Sequence, residues 1–223
     1  MTDPDERTPR MRDMPAPRRQ GGAVGPLFRA VFAWPFRFAL AGLHRAGVRP
    51  WHLTIASLAT NVVAAWLLLR GDRLVPGLLL LLGGLFDIFD GSVARLRGED
   101  SRFGAFLDSM LDRVSDAVVF GALFWVLREQ AYELEAGLAL ASLVISLVVS
   151  QFRAEAEALG LSLTEGVFQR LERVVALILG LTIPGALLPA LALLTALGAV
   201  TVLQRLWTAL RRVRSAPRDP ATG

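Results

Sequence analysis

The sequence predicts an all-α, polytopic membrane protein: six transmembrane helices preceded by an amphipathic interfacial helix. Three observations predict it. Apolar residues make up 53% of 223 positions and the mean hydropathy is +0.47, more apolar than a soluble domain of this size can cover with polar surface. Six apolar segments approach or exceed the roughly 20 residues that a helix needs to cross the hydrocarbon core. The 24 cations are all arginine, and they are spread unevenly over the connections between those segments. The absence of cysteine excludes a disulfide scaffold and a thiol-dependent enzyme. A GC-rich genome would produce the same choice of arginine over lysine, so the placement is more informative than the count.

Residues 1–25 are polar, carry Pro4, Pro9, Pro15 and Pro17, and lack both apolar periodicity and the apolar core of a signal peptide. They read as a flexible tail. In residues 26–48, Leu27, Val31, Trp34, Phe38, Ala41 and Leu43 recur at helical spacing with Arg29, Arg37 and Arg45 between them. That pattern suits a basic amphipathic helix lying in a membrane interface. The expected spans are 51–69, 74–96, 103–127, 134–158, 167–188 and 189–213, with short connections and with Pro184 and Pro189 bracketing the last turn. Residues 26–213 thus form one membrane domain, and 214–223 a C-terminal tail. With the N-terminus in the cytoplasm, the outer connections hold only Arg70, Arg73 and Arg128, and the other 21 arginines fall on the inner side. The positive-inside rule therefore places both termini in the cytoplasm.

Five carboxylates interrupt the second and third apolar segments: Asp87, Asp90, Asp108, Asp112 and Asp116. Each costs roughly 2.5–3.5 kcal/mol on insertion scales and is a functional candidate by default. Asp87 and Asp90 are spaced i, i+3, and Asp108 and Asp112 i, i+4, so each pair shares a helix face. Two consecutive antiparallel helices can bring the faces together near the inner surface. Like charges converging there need cations among them. All-oxygen ligands without His or Cys suit hard metals, Mg²⁺ or Mn²⁺, and four bridging carboxylates suit two ions acting in displacement at phosphorus. Helix-end capping or pairing with arginine is the structural alternative, and for Asp116 the two readings stand about even. Gly91 and Ala94 remove bulk beside Asp90, Arg95 offers a planar fork to phosphate, and Gly104 opens the facing helix.

Together these residues spell Asp87-x-x-Asp90-Gly91-x-x-Ala94-Arg95, eight residues, Gly104-x-x-x-Asp108-x-x-x-Asp112. The pattern resembles, position for position, the signature of the CDP-alcohol phosphotransferase family. The resemblance implies six membrane helices after an amphipathic helix, a homodimer, and transfer of a phosphatidyl group from CDP-diacylglycerol to an alcohol with release of CMP. It implies that Asp87, Asp90, Asp108 and Asp112 hold the metal, with Asp112 also the general base. It implies that Gly91, Ala94, Arg95, Ser101 and Gly104 adjoin the CDP moiety, as does the stretch Trp51-His52-Leu53-Thr54, in which Trp51 replaces the family's usual Asn or Asp.

For the acceptor, Arg153, Arg173 and Arg205 suggest a pocket for an anionic group, with snorkelling to the interface as the plain alternative for Arg205. The stretches Ser101–Asp108, Asp112–Asp116, Arg153–Ala158 and Arg170–Arg173 resemble the branch of the family that uses inositol phosphate. There the cations matching Arg153, Arg173 and Arg205 hold the acceptor's phosphate. Glu155 and Leu171 depart from that branch, which keeps glycerol 3-phosphate open as the acceptor. No nucleic-acid partner is expected. An ion transporter would also explain intramembrane carboxylates, but not the glycines and Arg95 at fixed spacing.

Overall fold

Residues 25–99, 101–158 and 170–215 are described by a computed structural model, and their regular structure is helical throughout. Seven helices follow in order: α1 (Gly25–Arg45), α2 (Pro50–Leu69), α3 (Leu74–Arg97), α4 (Arg102–Glu129), α5 (Glu133–Ala158), α6 (Arg170–Thr182) and α7 (Leu187–Ser215). Four of them, α2, α3, α5 and α7, are long and apolar enough to cross a membrane. That supports a membrane protein with four candidate spans among the described residues, where apolar length in the sequence predicts six. The difference has two sources. α4 is 28 residues long, but Asp108, Asp112, Arg113 and Asp116 dilute its first half. α6 covers only 13 residues: it ends at Thr182, six residues before the expected end of the fifth span, and the first three residues of that span, 167–169, lie outside the described residues. The tail before residue 25, the connection 159–166 and residues 216–223 also lie outside them.

α1 ends three residues earlier than its apolar pattern predicts. Gly47 takes φ +71°, and Val48 N–H reaches back to the Leu43 carbonyl, closing a left-handed helix end. Its faces also differ from the expected single stripe. Phe36, Leu40 and Ala41 are buried against Leu53 and Val93, and Phe36 stacks on Phe89 at 4.7 Å. Trp34 and Phe38 point outward, 72% and 66% exposed, and stack on each other. The helix therefore has one apolar face on the bundle and a second facing out. Arg97 ties it to α3 by donating to the His44 carbonyl at 3.2 Å. The start of α7 is shifted as well. The turn spans 183–186 with Gly185 at φ +80°, and Pro189 falls inside the first turn of α7, where no intrahelical donor is needed.

Away from the carboxylates, the ends of α2 and α4 and the start of α7 pack through the fully buried Leu68, Leu123, Leu127 and Leu191. α2 packs on both α3 and α4, whereas α3 and α4 make no direct helix packing among the described residues. Close approaches are made through glycine. A Cβ at Gly180 would stand 2.7 Å from Ala190 Cβ, and one at Gly83 2.9 Å from Asn61 Oδ1. Small residues of this kind let membrane helices meet at backbone distance. We expect Gly180→Leu to destabilise the α6–α7 hairpin by about 1–3 kcal/mol, the usual cost of overpacking. Thermal unfolding in detergent micelles checks this, and an unchanged midpoint would disprove the tight contact.

Candidate metal centre

The gap between α3 and α4 holds the carboxylates. Asp87 and Asp90 lie one turn apart on α3, and Asp108 sits in the second turn of α4. One oxygen from each lies within 4.8 Å of the others, the spacing of ligands that share a cation. Asp90 is the most enclosed of the three. Its Oδ1 accepts from Gly91 N–H, and its Oδ2 accepts from the Thr54 hydroxyl of α2 at 2.9 Å. Asp112, one turn beyond Asp108 on α4, is half-buried and falls outside this three-carboxylate group. An all-carboxylate set fits a hard divalent cation and does not fit a soft one. Thr54 belongs to this set through Asp90, since a donor that fixes a ligand's orientation tunes the metal behind it.

The other expected site residues fall into two groups. Gly91, Ala94 and Arg95 line the same stretch of α3, with Arg95 donating to Ser92 Oγ at 3.0 Å. Ser101 caps α4: its Oγ accepts from Gly104 N–H at 2.9 Å, so the pair begins the helix that carries Asp108. His52 does the same for α2, its Nδ1 accepting from Arg49 N–H at 3.1 Å while its ring packs on Trp51. Leu53 is a core residue beside Val93. In this structure His52, Leu53 and Ser101 therefore do structural work, and of the 51–54 stretch it is the Thr54 hydroxyl that reaches the carboxylates.

Beyond the carboxylates the gap widens into a cavity with room for about 80 Å³ of water-sized occupancy, enough for several waters or a polar group. Ser57 and Asn61 of α2, Asp87 of α3, Ser115 and Asp116 of α4 and Arg173 of α6 supply its polar lining. Arg173 donates to Ser146 Oγ of α5 and lies 4.0 Å from Asp116 Oδ2. Arg205 does not snorkel. It is 7% exposed, and its Nη1 donates to the Val149 carbonyl at 2.9 Å. Arg153 is exposed near the end of α5. Sequence reasoning missed Ser57, Asn61, Ser115 and Ser146. The i, i+4 spacing of Ser57 and Asn61 is visible in the sequence, but such residues are common interhelical glue and do not announce a cavity.

Residues 48–210 match the family model described as CDP-alcohol phosphatidyltransferase, and the chain belongs to that family. It is 38% identical over 192 residues to the phosphatidylinositol phosphate synthase of Mycobacterium marinum, covering 82% of each chain. With the enzyme of the same name from Mycobacteroides abscessus it shares 35% over 201 residues, or 86% of this chain and 90% of that one. The fold is similar to the crystal structure of the Mycobacterium tuberculosis phosphatidylinositol phosphate synthase with CDP-DAG bound, at TM-score 0.69 and 34% identity over 76% of this chain and 90% of that one. The same enzyme in complex with manganese and citrate gives TM-score 0.68 at 33% identity, over 77% and 87%.

Thr54→Val should weaken divalent-cation binding by about tenfold, the lower end of what a lost ligand-orienting partner costs. The electron paramagnetic resonance signal of unbound Mn²⁺, titrated against purified protein, measures this without reference to turnover. Equal affinity in the variant would detach Thr54 from the centre.

Proposed function

We propose that this chain is a phosphatidylinositol phosphate synthase, which transfers the phosphatidyl group of CDP-diacylglycerol to a hydroxyl of inositol phosphate and releases CMP. The observation that carries the reading is the carboxylate cluster across the α3–α4 gap, opening onto a cavity lined by Arg173. The relatives named for this activity support it.

In this reading Asp87, Asp90, Asp108 and Asp112 hold two divalent cations, Mg²⁺ or Mn²⁺. When bound, the metal offsets the charge of the pyrophosphate and of departing CMP. Gly91, Ala94 and Gly104 leave room for the CDP moiety, and Arg95 offers it a guanidinium. Trp51, His52, Leu53, Thr54 and Ser101 adjoin the CDP moiety, His52 and Ser101 also fix where α2 and α4 begin, and Thr54 holds Asp90. Asp112 takes the acceptor's proton as its hydroxyl oxygen bonds to the lipid-side phosphorus and the bond to the bridging oxygen breaks. Arg153, Arg173 and Arg205 receive the acceptor's phosphate. A carboxylate-lined cavity with Arg173 at its wall suits a phosphorylated acceptor better than free serine or choline.

The same reading extends to topology. α4 and the helix containing α6 complete six spans, α1 lies in the interface with Trp34 and Phe38 in lipid, and residues 26–213 form one membrane domain between tails 1–25 and 214–223. Both termini and the site face the cytoplasm, in the cell membrane, and the working unit is a homodimer.

Two experiments test these readings. Purified protein with CDP-diacylglycerol and Mg²⁺ should place radiolabel from inositol phosphate, and not from free inositol, into lipid. Asp112→Asn should lower kcat by about 10²–10⁴ while retaining CDP-lipid binding. Incorporation of glycerol 3-phosphate in place of inositol phosphate would overturn the acceptor. Because the chain has no cysteine, single cysteines can be added without removing native ones. At Asp72 and Ala131 they should react with an impermeant maleimide on intact cells, and at Gly98 only after permeabilisation; the opposite pattern would invert the topology.

A further inference from the structure

The cavity contains a network that lies outside the motif. Asp116 of α4, Ser146 of α5 and Arg173 of α6 come from three helices and meet at one point. The Ser146 hydroxyl donates to Asp116 Oδ2 at 2.5 Å, Arg173 Nη1 donates to the same hydroxyl, and the Arg173–Asp116 separation is 4.0 Å. Ser146 is fully buried, and the Arg173 and Asp116 side chains are 15% and 20% exposed. Both charged groups line the cavity that Asp87 also lines.

Two physical points decide what such a network does. A guanidinium is planar, so fixing one of its nitrogens fixes the plane and direction of the whole fork. A long side chain in a cavity otherwise spreads over many rotamers, and ordering it at the moment of binding weakens the contact it makes. The carboxylate is held at the outer limit of an ion pair, with a hydroxyl between the partners. It offsets part of the charge of Arg173 and, through the Ser146 hydroxyl, limits where the guanidinium can lie.

We propose that Asp116 and Ser146 are positioning residues for the acceptor: they hold the Arg173 guanidinium at the wall of the Asp87 cavity, so that the anionic group of the acceptor is received at a fixed distance from the metal centre. This rests on the reading of Arg173 as an acceptor-phosphate group. A purely architectural clip would show itself in stability and in all kinetic constants together, whereas a positioning role affects acceptor binding selectively.

The test is steady-state kinetics on the purified full chain with CDP-diacylglycerol and inositol phosphate. Asp116→Asn and Ser146→Ala should each raise the acceptor KM by about tenfold, leaving kcat and the CDP-lipid KM within about twofold of the parent. Combined with Arg173→Ala, neither should add further to the acceptor KM, because both act through the residue already lost. Asp116→Glu, which keeps the carboxylate, should recover most of the acceptor affinity, and with Ser146→Ala it carries the test if Asp116→Asn fails to fold. Multiplying effects in the double variants, or a fall in kcat at unchanged acceptor KM, would overturn the inference. A raised acceptor KM in Arg173→Ala with none in Asp116→Asn or Ser146→Ala would overturn the positioning role alone. An unchanged acceptor KM in Arg173→Ala would overturn the acceptor reading itself and this inference with it.

Discussion

Mutual repulsion of carboxylates inside an apolar bundle is the constraint on which the rest of this structure depends. At 4.8 Å, two ionised carboxylates repel by about 3–4 kcal/mol at an effective dielectric of 20, and three make three such pairs. Helix packing alone would not choose that arrangement. It persists where something positive is expected between the carboxylates, and where the helices that bear them are held by contacts elsewhere. The second condition is visible. α3 and α4 do not pack on each other, so the gap is built into the bundle, and α2 packs on both. Ser57 donates to the Gly83 carbonyl at 2.9 Å and draws α2 onto α3, while Thr54 anchors Asp90 from the same helix. α2 thus acts as the spacer for the cluster, and its polar residues at 54, 57 and 61 all serve the face that looks into the gap.

The helix starts serve the same end. Asp108 lies only two turns into α4, so the residue at which α4 begins decides where that carboxylate points. Ser101 and Gly104 fix that residue through an N-cap, and Gly98, at φ +64°, ends α3 so that the chain can turn between the two. The spacing of eight residues between Arg95 and Gly104 therefore has a mechanical content. It is the length of chain needed to end one helix, turn, and cap the next with the carboxylates in register. A residue inserted within α4 between Ser101 and Asp108 would rotate Asp108 by about 100° relative to that cap, since a helix turns once per 3.6 residues.

Much of this could be read from the sequence, and the parts that could not have a common cause. The carboxylates, the glycines and Arg95 were legible because their spacing is helical and their chemistry is out of place among apolar neighbours. The helices were legible from apolar length, with misjudged ends where a left-handed glycine or a proline in a first turn decides the boundary, as at Gly47 and Pro189. Which apolar face of α1 is buried was not legible. Phe36 and Phe38 are equally apolar, and only the presence of Phe89 and Val93 on α3 selects one of them. His52 and Ser101 carry functional-looking side chains, yet they cap helices, because the nearest orphan donors are their own backbone neighbours. Asp116 was divided evenly between structure and function on sequence grounds. Its partners, Ser146 and Arg173, are 30 and 57 positions away, and no local pattern connects them.

The arginine-only composition acquires a physical meaning at these positions. Arg173 and Arg205 are largely withdrawn from water and rest on a hydroxyl or a backbone carbonyl, with Asp116 only at ion-pair distance. A lysine in such surroundings loses its proton readily, whereas a guanidinium stays charged and keeps its fork geometry. On the tails either cation would serve. Inside the bundle the choice is not neutral: a guanidinium so withdrawn from water stays charged where an ammonium would readily lose its proton.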